Sequence, residues 1–373
     1  MLHIDRVHLS LIEMPLKKPF TTHLGTVKNR QSIIIEVIDS DGISGFGEAV
    51  AFSSPWYTEE TTATVLHMLN DFLIPKLLNE KINHPQEVSR LFASIRRNEM
   101  AKAGIETAIW DLYAKKRDQS LSALIGGSRT EIPAGAVVAT EDVLHALRQI
   151  ELFQKQGYQR LKVKISPEND VRFLKEIRKE YPNIPLMADA NSAYKLADVD
   201  QLRALDEFRL LMIEQPLAVT DMVDHATLQR EISTPICLDE SISSIHDAYS
   251  AIQLGSCKIM NIKMGRVGGL ENAKRIHDLC VDHQIQVWCG GMIEFGISRA
   301  HNIALATLPG FTIPGDIVSS NHYWEEDIIE PFVEVKNGMI SVPAEAGIGF
   351  LINRKRLKEV TISYGEYIKG KGV

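Results

Sequence analysis

The chain has few cysteines, no long apolar run and no excess of positive charge. Its four cysteines are Cys237, Cys257, Cys280 and Cys289, with no C-x-x-C pair among them. That pattern speaks against a disulfide framework and fits buried thiols in a reducing, cytoplasmic setting. No stretch of 18 apolar residues occurs, so no membrane span is expected. Lys and Arg number 41 against 48 Asp and Glu, leaving a net charge of −7. An acidic balance argues against nonspecific binding to nucleic acid or to anionic membrane. The opening MLHIDRVHLSLIEMPLKKPF mixes polar residues into its apolar pattern, unlike a secretory signal or transit peptide. No low-complexity segment or linker stands out.

What is present is an ordinary globular composition, 45% hydrophobic and 24% charged over 373 residues. That length accommodates one barrel and a smaller domain. The early part alternates like strands over 4–13 and 32–38, and Asp41-Gly42 supplies a hairpin turn back into 45–50. A helical face follows at Ala101, Ile105, Ala108, Ile109 and Leu112. Strands first and helices after predict a separate α+β capping domain over 1–125.

A different rhythm then takes over. Lys164, Asp189, Glu214, Asp239 and Lys263 follow one another at steps of 25, 25, 25 and 24 residues. Each ends a short apolar run: LKVKI, LMADA, LLMIE, ICLDE and KIMNIK. Such runs read as buried parallel strands, and one strand–helix unit takes about 25 residues. The charges therefore gather at one end of successive strands, the catalytic face of a (β/α)8 barrel. Strands are predicted at 132–139, 161–165, 185–190, 210–215, 235–239, 257–263, 286–290 and 311–316. Helices are predicted near 141–156, 169–181, 198–207, 221–231, 244–254, 269–283 and 296–307. After the last strand no eighth amphipathic helix follows. The fold class is thus α/β, a (β/α)7β modified TIM barrel over 126–324, with 325–373 crossing back to the cap.

Three carboxylates brought together without a counterion would repel one another at high cost. A hard divalent cation resolves this, Mg2+ with Mn2+ as a substitute, held by Asp189, Glu214 and Asp239. Lys162 and Lys164 alternate with Val163, so both point into the barrel. Burial and a nearby cation would lower the pKa of Lys164 and fit it to take a proton. Lys162 would assist and could contact a substrate carboxylate. Lys263 lies across the ring. Metal plus base suits one step, removal of an α-proton from a carboxylate.

The K-x-K at 162–164, Asp189-Ala190-Asn191, Glu214-Gln215-Pro216, Asp239-Glu240 and the late Lys263 resemble the enolase superfamily, in its muconate lactonizing enzyme subgroup. Within it, NIKMGRVGGL (261–270), WCGGMIEFGISRAHN (288–302), TAIWDLYAKK (107–116) and NSAYKLAD (191–198) resemble o-succinylbenzoate synthases of the kind that includes N-acylamino acid racemases. The resemblance implies Lys164 as general base, Lys162 as its electrostatic partner and Lys263 as second acid/base or cation. It gives Asn191 and Glu240 supporting roles around the metal, and Arg266 a contact with Lys263. Gly290-Gly291-Met292-Ile293 reads either as a backbone cradle for the succinyl carboxylate or as a tight turn with positive φ. The segments PFTTHLGT (19–26) and VAFSSPWY (50–57) resemble loops that close such sites, offering His23, Phe52 and Trp56 as substrate contacts beside Gly291, Met292 and Ile293.

The expected activity is o-succinylbenzoate synthesis in menaquinone biosynthesis. That is the dehydration of 2-succinyl-6-hydroxy-2,4-cyclohexadiene-1-carboxylate through an enediolate. N-acylamino acid racemisation and muconate cycloisomerisation use the same lysines. The eighth strand has Gly315-Asp316-Ile317-Val318 where a dipeptide epimerase would have Asp-x-Asp. The seventh reads QVWCGG where mandelate racemase-like dehydratases carry a histidine. A non-catalytic scaffold barrel and a Schiff-base aldolase are the other classes; metal titration and borohydride trapping separate them. The expected partners are a small carboxylate substrate and further copies of the chain in a homo-oligomer.

Overall fold

A computed structural model describes residues 1–22, 25–140 and 142–370. The first sheet is built from β1 (Ile4–Thr22), β2 (Gly25–Asp39) and β3 (Ser44–Ala49), antiparallel and in chain order. The predicted hairpin turn is present: Gly42 has φ +80° and its N–H donates to Asp39 O at 2.8 Å. Helix Glu99–Lys116 lies against β3, with Ala101, Ile105, Ala108, Ile109 and Leu112 all buried. Glycine sets how closely it lies. A Cβ at Gly47 would come within 2.0 Å of Gly104 O, and one at Gly45 within 2.2 Å of Ala108 O.

The second sheet holds β5 (Gly135–Val138), β6 (Arg160–Lys164), β7 (Leu186–Asp189), β8 (Ile213–Glu214), β9 (Ile236–Leu238), β10 (Ile259–Ile262) and β11 (Gln286–Cys289). The seven are parallel and neighbour one another in chain order, a curled barrel wall. Helices Val143–Lys155, Asp170–Glu180, Val199–Ala204, Met222–Glu231, Ile245–Leu254, Leu270–Asp282 and Gly296–Leu305 alternate with them, close to the predicted positions. The predicted eighth strand at 311–316 is not a full strand. It touches β11 at Phe311 and the residue before β5 at Gly315 through isolated parallel bridges. Pro314 interrupts it, because a proline has no N–H to give a ladder. The ring is closed by that bridged segment.

Short strands finish the chain. β4 (Glu131–Pro133) pairs with β13 (Met339–Ser341), and β12 (Ile329–Glu330) pairs with β14 (Leu351–Ile352). β15 (Thr361–Ile368) then runs antiparallel along β1, from Arg6↔Ile368 to Ile12↔Thr361. The four cysteines are free and buried. Among the described residues no helix is long and apolar enough to cross a membrane.

Candidate active site

The 25-residue spacing becomes side-by-side placement. Lys164 pairs in register with Asp189, and Asp189 with Glu214. Asp239 and Lys263 each lie one residue beyond β9 and β10. Just past the strand ends the backbone turns sharply. Asn191 and Gln215 adopt φ of 41° and 40°, left-handed values that non-glycine residues seldom take. Gln215 fastens the neighbouring strand end, its Oε1 accepting from Asp239 N at 3.0 Å and Ser241 N at 3.2 Å.

Every carboxylate of the group faces a cation. Lys164 Nζ donates to Asp189 Oδ2 and to Asn191 Oδ1, both at 2.6 Å. Lys162 Nζ lies 3.1 Å from Glu214 Oε2, 3.4 Å from Asp189 Oδ2 and 2.6 Å from Asp316 Oδ2. Lys263 Nζ reaches Asp239 Oδ2 at 2.8 Å and Tyr57 Oη at 3.0 Å. Arg266 pairs with Asp239 and donates to Tyr57 Oη at 2.7 Å. Asn191 Nδ2 donates to Glu240 Oε1 at 3.1 Å, and Asn261 Nδ2 to Glu214 Oε1 at 2.7 Å.

Burial by itself lowers a lysine pKa. For two lysines the structure reverses that. Burial opposes their charge, but Asp316, Glu214 and Asp189 hold the Lys162 pKa well above the usual lysine value. Asp239 and Tyr57 do the same for Lys263 against its burial. The carboxylates outweigh the desolvation because they lie within hydrogen-bond distance.

Among the described residues no three His, Cys, Asp or Glu side chains form a ready-made metal cluster. Asp189, Glu214 and Asp239 are engaged with ammonium and guanidinium groups instead. Their chemistry nevertheless fits a hard cation. All are buried oxygen donors, and they strain against one another: burial and then Asp189 push the Glu214 carboxyl up to about 8, with Asp239 adding to the effect. A divalent cation would relieve that repulsion.

One cavity brings the group together, lined by Lys162, Lys164, Asp189, Asn191, Asp239 and Lys263. Of the residues expected to meet substrate, Phe52, Trp56, Gly291, Met292 and Ile293 also line it. His23 lies outside the described residues. Glu214, Glu240 and Arg266 stand behind the lining, joined to it by the contacts above. The two glycines are not turn glycines, since neither has positive φ. Close approach requires them: a Cβ at Gly290 would lie 2.1 Å from Asn261 Oδ1, and one at Gly291 2.6 Å from Asp316 O. The Met292 N–H, part of the expected cradle, is already given to Glu294 Oε2 at 2.5 Å. Ile293 takes the positive φ instead, 55°.

Sequence reading missed Tyr57, Glu294, Arg299 and Tyr323, which also line the cavity, and it gave Asp316 no role in the site. Tyr57 adjoins Trp56 in a segment already singled out, but nothing in that segment marks the tyrosine. Glu294 and Arg299 fall within 288–302, a run singled out for its resemblance, but nothing in it marks either residue as lining the site.

The chain matches two family models in series. Residues 6–126 match the mandelate racemase / muconate lactonizing enzyme N-terminal domain, and 145–356 the enolase C-terminal domain-like model. It is 55% identical over 361 residues to an o-succinylbenzoate synthase of Geobacillus stearothermophilus, covering 96% of each chain. It is 42% identical to an N-succinylamino acid racemase of Thermus thermophilus over 97% of this chain and 98% of the relative. A crystal structure of an enolase superfamily member from Listeria innocua superposes with a TM-score of 0.97 at 42% identity, over 99% of this chain and 100% of that one.

Proposed function

Because the chain belongs to the mandelate racemase / muconate lactonizing enzyme family of the enolase superfamily, we propose that it is a lyase that makes o-succinylbenzoate by dehydrating 2-succinyl-6-hydroxy-2,4-cyclohexadiene-1-carboxylate. The observation that carries this is the 55% identity to a synthase over 96% of both chains. The site agrees, with Lys164, Lys263, Asp189 and Asp239 on one cavity and the buried Glu214 directly behind it.

In this proposal Asp189, Glu214 and Asp239 would hold Mg2+, or Mn2+ in its place. Such an ion would supply positive charge that acidifies the C–H next to the substrate carboxylate. Lys164, at the cavity wall and hydrogen-bonded to Asp189 and Asn191, takes the α-proton. The resulting ammonium then gives that proton to the departing hydroxyl, which leaves as water while the ring becomes aromatic. Lys162 and Lys263 remain charged and offset the anion formed in between. Residues 1–125 with 325–373 form the cap that excludes water, and 126–324 the barrel.

Racemisation of N-succinylamino acids is the second reading, favoured by one observation. Lys263 opens on the cavity four strands away from Lys164, so a proton can leave from one face and return on the other. Muconate cycloisomerisation loses ground, since the muconate lactonizing enzyme likeness at 22% identity carries the fold alone.

The test follows loss of the cyclohexadiene chromophore by ultraviolet absorbance, with Mg2+ and then with EDTA. Fast conversion that EDTA stops is expected. Folded, metal-loaded protein that converts nothing would move the assignment to racemisation.

A further inference from the structure

A buried cation needs a counter-charge, and one arginine in the cavity wall has none of its own. Arg299 lies in helix Gly296–Leu305, is 1% exposed, and lines the same cavity as Lys164 and Lys263. Its guanidinium donates to Glu294 O at 2.9 Å and to Ser320 Oγ at 3.3 Å, and lies 5.7 Å from the centre of the Tyr323 ring. Among the described residues no carboxylate forms an ion pair with it. Arg160, Arg266 and Lys162, equally buried, each have one.

The two acids tied to its hydrogen-bond partners are committed elsewhere. The Glu294 carboxylate accepts from Met292 N and Asn302 Nδ2. Asp327 stands one hydroxyl away, accepting from Ser320 Oγ at 2.6 Å and from Gly296 N at 3.0 Å. A guanidinium has five N–H donors, and the two contacts above leave the rest unused. Burying such a charge unpaired is costly, so the arrangement makes sense if a ligand brings the missing anion.

Both substrate classes under Proposed function carry two carboxylates, and this inference rests on that reading. One carboxylate sits beside the acidic carbon, among the lysines. The other ends the succinyl arm. We propose that Arg299 binds this second carboxylate and is a specificity-determining residue for succinyl-bearing substrates. The cradle expected at 290–293 is less suited to that task, with its Met292 N–H already given to Glu294.

The test compares two ligands that differ only at the far end: o-succinylbenzoate and its primary amide at the succinyl carboxylate. Binding to Mg2+-loaded protein is measured by calorimetry for wild type, Arg299→Met and Arg299→Lys, with folding checked by thermal melting. Wild type is expected to prefer the acid by about tenfold or more, as one charged hydrogen-bonded contact allows. Arg299→Met should abolish the preference by weakening acid binding alone, and Arg299→Lys should keep part of it. In turnover, Arg299→Met should raise KM for the dehydration substrate while kcat changes little.

Equal weakening of acid and amide would make Arg299 a packing residue and overturn the inference. So would a wild type that converts the dehydration substrate yet binds acid and amide alike, which leaves the proposed function intact. A wild type that binds neither ligand and converts nothing removes both. Should Arg299→Met fail to fold, Arg299→Lys decides, since an unchanged preference for the acid over the amide there also overturns it.

Discussion

Two lysines that look alike in the sequence meet different surroundings. Lys164 is held between Asp189 and Asn191, whereas Lys263 is held between Asp239 and Tyr57, with Arg266 on the same two groups. Only Lys164 has a part in dehydration that a fixed positive charge cannot fill. Lys164→Ala is therefore expected to lower both dehydration and racemisation by about a thousandfold or more. Lys263→Arg keeps a charge but is a far weaker acid, so it should spare dehydration while lowering racemisation. Chromophore loss measures the first, and loss of optical rotation of a single-enantiomer N-succinylamino acid the second. A Lys164→Ala protein that keeps both rates would remove the assigned base. These residues were legible because they share a period. Tyr57 and Arg299 were not, because what matters about them is which groups from distant segments surround them, and spacing does not encode that.

Strand and helix positions in the barrel follow from runs of local sequence, which is why they were readable, down to the C-terminal strand ends that hold the charges. What joins elements across the chain was not. The exception within the barrel, 311–316, has an apolar start like the others, but Pro314 and its two edge bridges decide its form. A clearer example is Glu106, on a helix read correctly as a helix but buried on every side from Ala103 to Ala114, not along one face. Its carboxylate crosses to the barrel and accepts from Leu270 N at 2.7 Å and Glu271 N at 2.9 Å, the first turn of helix Leu270–Asp282. That helix starts after Gly269, which has no side chain to cap it. Glu106 also accepts from Trp110 Nε1 at 2.8 Å. Glu106→Ala should leave these donors unpaired and cost about 2–4 kcal/mol. Urea unfolding measures it, and a loss below about 0.5 kcal/mol would show that the cap contributes nothing.

At the scale of the whole chain, β15 pairs along β1, and a small number of charged contacts add to that ladder in joining the last forty residues to the first fifty. Arg354 forms a two-pronged pair with Glu36 of β2, at 2.8 and 2.7 Å. Ser44 adds a bond to Glu36 at 2.6 Å, and Asp111 holds both Phe46 N and Ile348 N at 2.8 Å. Burial disfavours the Glu36 charge, but the Arg354 and Ser44 bonds outweigh it and bring the carboxyl down from 4.5 to about 2. A lowered acid binds fewer protons folded than unfolded in that interval. Its contribution is therefore complete above about 4.5 and disappears as pH falls toward about 2. Arg354 is half exposed, so solvent screening limits the pair to about 1 kcal/mol. Glu36→Gln should accordingly lower the Tm near neutrality and converge with wild type in acid. Melting curves from pH 7 to 3 measure the gap. If the gap keeps its size down to pH 3, the closure of β15 onto β1 depends on packing and backbone pairing, and the ion pair is incidental to it.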